Sequence, residues 1–212
     1  MNVAAHHSMI GGNGSMPYAY SVEWLEANGQ QFIFTGLPIK NNTGYQVEME
    51  YCFATYPSAQ ANPESWVYGY WNSRPSNRVY LIGMYKTDLR CGAGPDNSSY
   101  HCNISRDTNF HVAKLLNNGA YFDGVRKCAT ALSTLANPPA GMTSVMMFKS
   151  PHVDNGGTRR VKYCKIWSIA GELLRDYKGV VDFNGIPCVY DAVENTLTYN
   201  AGTGNFGIGP KI

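Results

Sequence analysis

Tyr45-Gln46-Val47-Glu48-Met49-Glu50-Tyr51-Cys52-Phe53 alternates without a break: Tyr45, Val47, Met49, Tyr51 and Phe53 fall on one side, and Gln46, Glu48, Glu50 and Cys52 on the other. Side chains of a β-strand point to opposite faces in turn, so this stretch predicts a strand with one buried and one wet face. Further period-two runs lie at 20–24, 31–35, 66–71, 79–85, 109–115, 120–125, 145–149 and 161–169. Turn formers punctuate the chain: Asn13-Gly14, Asn28-Gly29, Asn118-Gly119, Asp123-Gly124, Asn155-Gly156 and Asn184-Gly185. Such pairs suit two-residue hairpins, whose central positions need positive φ. Many short strands separated by turns predict an all-β sandwich or barrel.

Composition agrees. The 212 residues include 15 Tyr, 4 Trp, 8 Phe and 22 Gly, a pairing of strand formers with turn formers. Only 15% are charged, 44% are hydrophobic and the formal net charge is +2, which fits neither a disordered polyampholyte nor a basic nucleic-acid-binding surface. Helix propensity is concentrated at 129–136, where Pro138-Pro139 ends it after one short turn. The interior has no linker, so residues 18–212 are expected to form one domain, with residues 1–17 a Gly-rich arm that docks on a neighbour or frays. No apolar run approaches the roughly 20 residues of a bilayer-crossing helix, and the first residues do not read as a signal peptide. The six cysteines form no C-x-x-C pair, which argues against a zinc ribbon; Cys91 and Cys102 could face each other across a hairpin, which the sequence leaves open.

Three phrases carry a resemblance. The first runs from Val22-Glu23-Trp24-Leu25-Glu26 through Gln31-Phe32-Ile33-Phe34-Thr35-Gly36. The second is His111-Val112 followed by Asn117-Asn118-Gly119-Ala120-Tyr121-Phe122-Asp123-Gly124. The third joins Lys165-Ile166-Trp167, Leu174-Arg175-Asp176-Tyr177, Gly185-Ile186-Pro187-Cys188-Val189-Tyr190-Asp191 and Tyr199-Asn200-Ala201-Gly202-Thr203-Gly204. In order and spacing they resemble the concanavalin A-like, laminin-G-like domains of gut bacterial surface proteins and phage tail or head fibres. The resemblance implies a two-sheet antiparallel jelly-roll sandwich, the fold of such lectins and glucanases, and a role in binding glycans or building a particle. Physically, Arg175 and Asp176 read as neighbours bracing a strand above a core Tyr177, and Asn200 to Gly204 as a tight bend.

Catalytic chemistry finds little anchor. Glycosidases of this fold carry E-x-D-x-x-E, and no such string occurs. Glu48 with Glu50 and Glu23 with Glu26 are the nearest acidic pairs, and they read as a solvated sheet face. G-x-S-x-G, P-loop and H-E-x-x-H motifs are missing, and the histidines are scattered. Asp96-Asn97 and Asp154-Asn155 could supply oxygens to a calcium ion in a rim loop, but no metal or cofactor is predicted.

Sugar binding asks for exposed rings to stack on and polar groups to take hydroxyls. Trp66-Val67-Tyr68-Gly69-Tyr70-Trp71-Asn72-Ser73-Arg74 offers both, with Trp66, Tyr68 and Tyr70 expected on one face and Trp71 on the other. A second strip comprises Tyr85, Asp88, Arg90, His101, Asn103 and Arg106. The candidate ligand-binding residues are Trp71, Arg74, Tyr85, Asp88, Arg90, His101 and Asn103. Arg159, Arg160 and Lys162 read as a solvated strand edge rather than a nucleic-acid contact.

The expected function is therefore non-catalytic attachment to a surface glycan or polysaccharide by a homo-oligomeric module on a phage virion or cell surface. The alternative is a fibre or decoration module whose contacts are other virion proteins. Neither nucleic acid nor membrane is an expected partner.

Overall fold

The computed structural model describes residues 16–38, 44–56, 64–72, 78–85, 88–94, 101–132, 144–149 and 156–212. Strands are numbered along the chain. One six-stranded sheet runs β3 (Ile33–Pro38), β12 (Ser144–Met147), β5 (Glu64–Asn72), β6 (Arg78–Tyr85), β7 (Asp88–Gly94), β8 (His101–Ser105). The eleven-stranded sheet runs β11 (Val125–Cys128), β10 (Gly119–Phe122), β9 (His111–Leu116), β4 (Gln46–Phe53), β13 (Arg159–Trp167), β14 (Leu173–Val181), β15 (Pro187–Asp191), β16 (Thr196–Thr198). Short β1 (Tyr20–Ser21) adds to β14, β2 (Leu25–Ala27) to β13, and β17 (Gly207–Ile208) to β2. All pairings are antiparallel, and the two sheets form the predicted all-β sandwich.

The alternation at 45–53 explains how the layers meet. Val47, Met49, Tyr51 and Phe53 of β4 enter one shared core with Tyr68, Tyr80, Ile82, Met84 and Leu89 of the smaller sheet. Two buried hydroxyls there, of Tyr68 and Tyr80, are linked across the gap. The Tyr68 and Tyr80 hydroxyls lie 2.9 Å apart, Tyr80 Oη donates to the Tyr45 carbonyl at 2.8 Å, and Tyr45 N–H donates back to Tyr80 Oη at 3.2 Å. A polar cluster with every member paired rigidifies a core instead of weakening it.

The opposite face of β4 is wet, and its acids are matched by cations. Glu48 meets Lys114 at 2.7 Å and accepts from Tyr163 Oη at 2.8 Å; Lys162 meets Glu50 at 2.9 Å and Glu23 at 3.4 Å; Arg160 meets Glu26 at 2.7 Å. Both acidic pairs singled out in the sequence thus belong to cross-strand charge pairing.

Two local expectations are corrected. Trp66 and Tyr68 do not share a face: the β5–β6 register shifts between them, setting Trp66 opposite Gly83 and Tyr68 opposite Ile82. A bulge reverses the alternation that the sequence reading assumed. Residues 159–162 are not an edge, because β13 pairs with β4 on one side and with β2 and β14 on the other. Arg159 is fully buried there, donating from Nη1 to Ser65 Oγ at 2.7 Å and to the Trp66 carbonyl at 3.0 Å. Arg175 and Asp176 brace β14 by charge-assisted contacts as expected, each with its own partners. Asp176 faces Lys165 at 3.6 Å, whereas Arg175 reaches Asp191 and Glu194.

Turns follow local chemistry. Asp123 and Gly124 both have positive φ (50° and 78°) in the two-residue β10–β11 hairpin, as expected of an Asp-Gly turn. The preceding hairpin turns at Asn117-Asn118, so Gly119 begins β10 instead of closing the turn. Residues 1–15, and with them nearly all of the expected arm, lie outside the described residues, as do 133–143, which include the second half of the expected helical turn.

Candidate ligand-binding site

The six-stranded sheet ends in β3, whose free side would expose unpaired backbone groups, a liability in any sandwich. Residues alternate strictly along it: Ile33, Thr35 and Leu37 are buried, while Phe34, Gly36 and Pro38 face out. Thr35 is anchored inward, its Oγ1 donating to the Val145 carbonyl at 3.0 Å. Its own carbonyl accepts from Arg175 Nε at 3.1 Å and Tyr177 Oη at 3.0 Å. Two side chains of β14 therefore cap the edge of the opposite sheet. Burial pushes the Tyr177 phenol far up, so it remains a hydrogen-bond donor.

Between β3 and β14–β16 opens a cleft of about 310 Å³ lined by Phe34, Gly36, Arg175, Asp191, Glu194, Thr196 and Thr198, with Thr35 and Tyr177 beneath. Asp191 closes one wall and is committed to the fold: Oδ1 accepts from Asp176 N–H and Val193 N–H, both at 3.0 Å, and Oδ2 faces Arg175 Nε at 3.3 Å. Arg175 Nη1 donates to the Leu174 carbonyl at 2.6 Å and to Glu194 Oε1 at 2.7 Å. Among the described residues, Nη2 has no acceptor. A side chain at Gly36 would begin 3.6 Å from Nη2, and the glycine, at φ +72°, leaves that approach open. The Thr196 and Thr198 hydroxyls likewise find no partner among the described residues. Phe34 is 47% exposed, held edge-on against Phe32 at 5.3 Å between ring centres. An apolar ring, an unused guanidinium edge, two hydroxyls and a carboxylate thus share one concave surface.

The strip expected from the sequence is in part assembled. Register sets Tyr85 opposite Asp88, Arg90 opposite Asn103, and Gly92 opposite His101. Arg90 stacks on the Tyr85 ring at 4.2 Å. Its described members Tyr85, Asp88 and Arg90 are half-buried, and Trp66 packs beneath Tyr85. Trp66 is fully buried, lying so close over Gly83 that a Cβ there would meet its ring at 2.6 Å. Burial dominates the neighbouring titrations: it raises the Glu64 carboxyl despite a hydrogen bond to Trp66, and it lowers Arg90. Arg106 is not part of this strip; it stands over the Tyr56 ring at 4.7 Å. Trp71 pairs with Val79 through its backbone, and Arg74 lies outside the described residues, as do Asp96-Asn97 and Asp154-Asn155.

Sequence reasoning missed the cleft because its members come from three separated segments, at 34–36, 175–177 and 191–198, and only the fold brings them together. Phe34 was the available signal. An outward Phe on a strand of clean alternation has no core to fill.

His111 forms a second polar cluster. Its Nδ1 lies 2.7 Å from Asp123 Oδ2 and its Nε2 2.9 Å from Asp107 Oδ1, with Phe122 packed against the ring at 4.6 Å. Burial opposes the charged imidazole, but bonds to Asp123 and Asp107 outweigh it and raise the His111 pKa.

No protein-family model, curated protein or solved structure matches this chain.

Proposed function

We propose that the chain is a non-catalytic carbohydrate-binding module of the concanavalin A-like jelly-roll type, which attaches a virion or cell surface to glycans through the cleft between β3 and β14–β16. The observation that carries this reading is the exposed Phe34 ring beside the open Nη2 of Arg175 and the unclaimed Thr196 and Thr198 hydroxyls. Sugars present an apolar face and a hydroxyl rim, and these groups complement both. The volume of about 310 Å³ sits at the small end of ligand pockets, roughly 300–1,000 Å³, and suits the end of a chain or a single branch.

Binding without turnover is the better reading of the two carboxylates here. Asp191 is buried and already serves two backbone N–H groups and Arg175, so it is held as a structural acceptor and not poised over a glycosidic bond. The surface setting rests on the three phrases that resemble bacterial surface and phage fibre domains. Calorimetry and glycan arrays with the full chain test the reading: Phe34→Ala should weaken saccharide binding about tenfold or more, at an unchanged melting temperature. If the intact protein binds no saccharide, the reading falls.

One observation favours the assembly reading. Phe183 (70% exposed) and Ile186 (40% exposed) occupy the same β14–β15 turn, an apolar tip suited to a protein partner. Light scattering of the full chain and of a Phe183→Ser, Ile186→Ser variant distinguishes the two, since only an assembly role predicts loss of oligomer.

A further inference from the structure

We infer that the cleft selects uncharged saccharides and turns away acidic ones, such as uronate polymers. This rests on the carbohydrate reading above and names the class of ligand. The charged groups lining the cleft are Arg175, Asp191 and Glu194, one cation against two anions, so its formal balance is one negative charge.

The guanidinium is also used up in the way that matters for acids. A carboxylate is held best by two parallel N–H donors of one arginine. Every fork of Arg175 includes Nε or Nη1. Nε already serves the Thr35 carbonyl and Asp191, and Nη1 serves the Leu174 carbonyl and Glu194. Only Nη2, open across Gly36, remains. A uronate would meet a single donor while standing beside Glu194 and Asp191, whose charges oppose its approach. A sugar hydroxyl meets no such conflict. It accepts from Nη2, and a neighbouring hydroxyl donates to the outer oxygen of Glu194 or exchanges hydrogen bonds with Thr196 and Thr198.

Calorimetry on the full chain with matched pairs tests this: galacto-oligosaccharides against oligogalacturonates, and manno-oligosaccharides against oligomannuronates, at low salt. The neutral member of the bound pair should bind about tenfold tighter or more. Glu194→Gln, on an exposed turn, removes one negative charge and should raise the acidic-to-neutral affinity ratio about fivefold. Equal or tighter binding of the acidic member by the native chain, or an unchanged ratio in Glu194→Gln, overturns the selectivity and leaves the carbohydrate reading standing. Binding of no member of either pair, with no signal on a wider glycan array, overturns both.

Discussion

Arg175 of β14 donates to the Thr35 carbonyl of β3 at 3.1 Å, joining an inner strand of one sheet to the edge strand of the other. The same guanidinium holds Asp191 and Glu194, so one side chain closes the sandwich and shapes the cleft. Arg175→Lys keeps the charge but supplies a point donor in place of a planar fork. The Thr35 carbonyl, Leu174 carbonyl, Asp191 and Glu194 cannot all be served by one ammonium. Denaturant unfolding should show a loss of about 1–3 kcal/mol, with saccharide binding weakened alongside.

The bend at 200–204 makes a prediction about backbone approach. Ala201 N–H donates to the Phe32 carbonyl at 2.8 Å, Thr203 N–H to the Gln30 carbonyl at 3.2 Å, and a Cβ at Gly202 would fall 1.8 Å from the Gln30 carbonyl oxygen. Gly202→Ala must therefore push the loop off residues 30–32, and is expected to cost about 2–3 kcal/mol. Gly185→Ala is the control: φ is +78° but nothing lies within 4 Å, so only backbone strain of about 1 kcal/mol applies. Thermal melts of the two variants should differ accordingly.

How much of this was legible beforehand depended on whether the information was local. The strand at 45–53 declared both its faces, because each residue's partner layer follows from period two. Asp123-Gly124 declared its turn for the same reason. The β5 bulge was not legible: whether Trp66 and Tyr68 share a face depends on pairing with β6, which local alternation does not encode. Arg175 illustrates the limit for the site. That it braces its strand was legible, but its partners were not: they lie 16 and 19 residues away at Asp191 and Glu194, while Asp176, on the other face, meets Lys165.

Arg159 offers a test of the interior. Fully buried between the layers, it donates to Ser65 Oγ and the Trp66 carbonyl, fastening β13 to β5 at the bulge. Arg159→Ala removes these bonds and leaves a cavity, and should destabilise the protein by about 2–5 kcal/mol in denaturant titration. Arg159→Met keeps most of the volume while losing the donors, so the difference between the two variants separates packing from hydrogen bonding.

His111 predicts a pH dependence whose sign follows from its setting. Burial disfavours the imidazolium, yet hydrogen bonds to Asp123 and Asp107 dominate together and hold the folded-state pKa above its ordinary value of about 6.5. A raised folded-state pKa contributes stability in full below the unfolded value, and that stability is lost as pH rises through the folded value. Asp107 moves the opposite way: its hydrogen bond from His111 comes first, then that from Asn109 N–H, and its pKa is lowered. Its share is present above the ordinary carboxylate range and fades in acid. Native protein should therefore exceed His111→Gln in melting temperature most clearly near about pH 5.5, where imidazolium and both carboxylates coexist, and the gap should narrow above about pH 7. A gap that widens from about pH 5.5 to 8.5 would show that the neutral imidazole, not its cation, holds the β9 start to the β10–β11 turn.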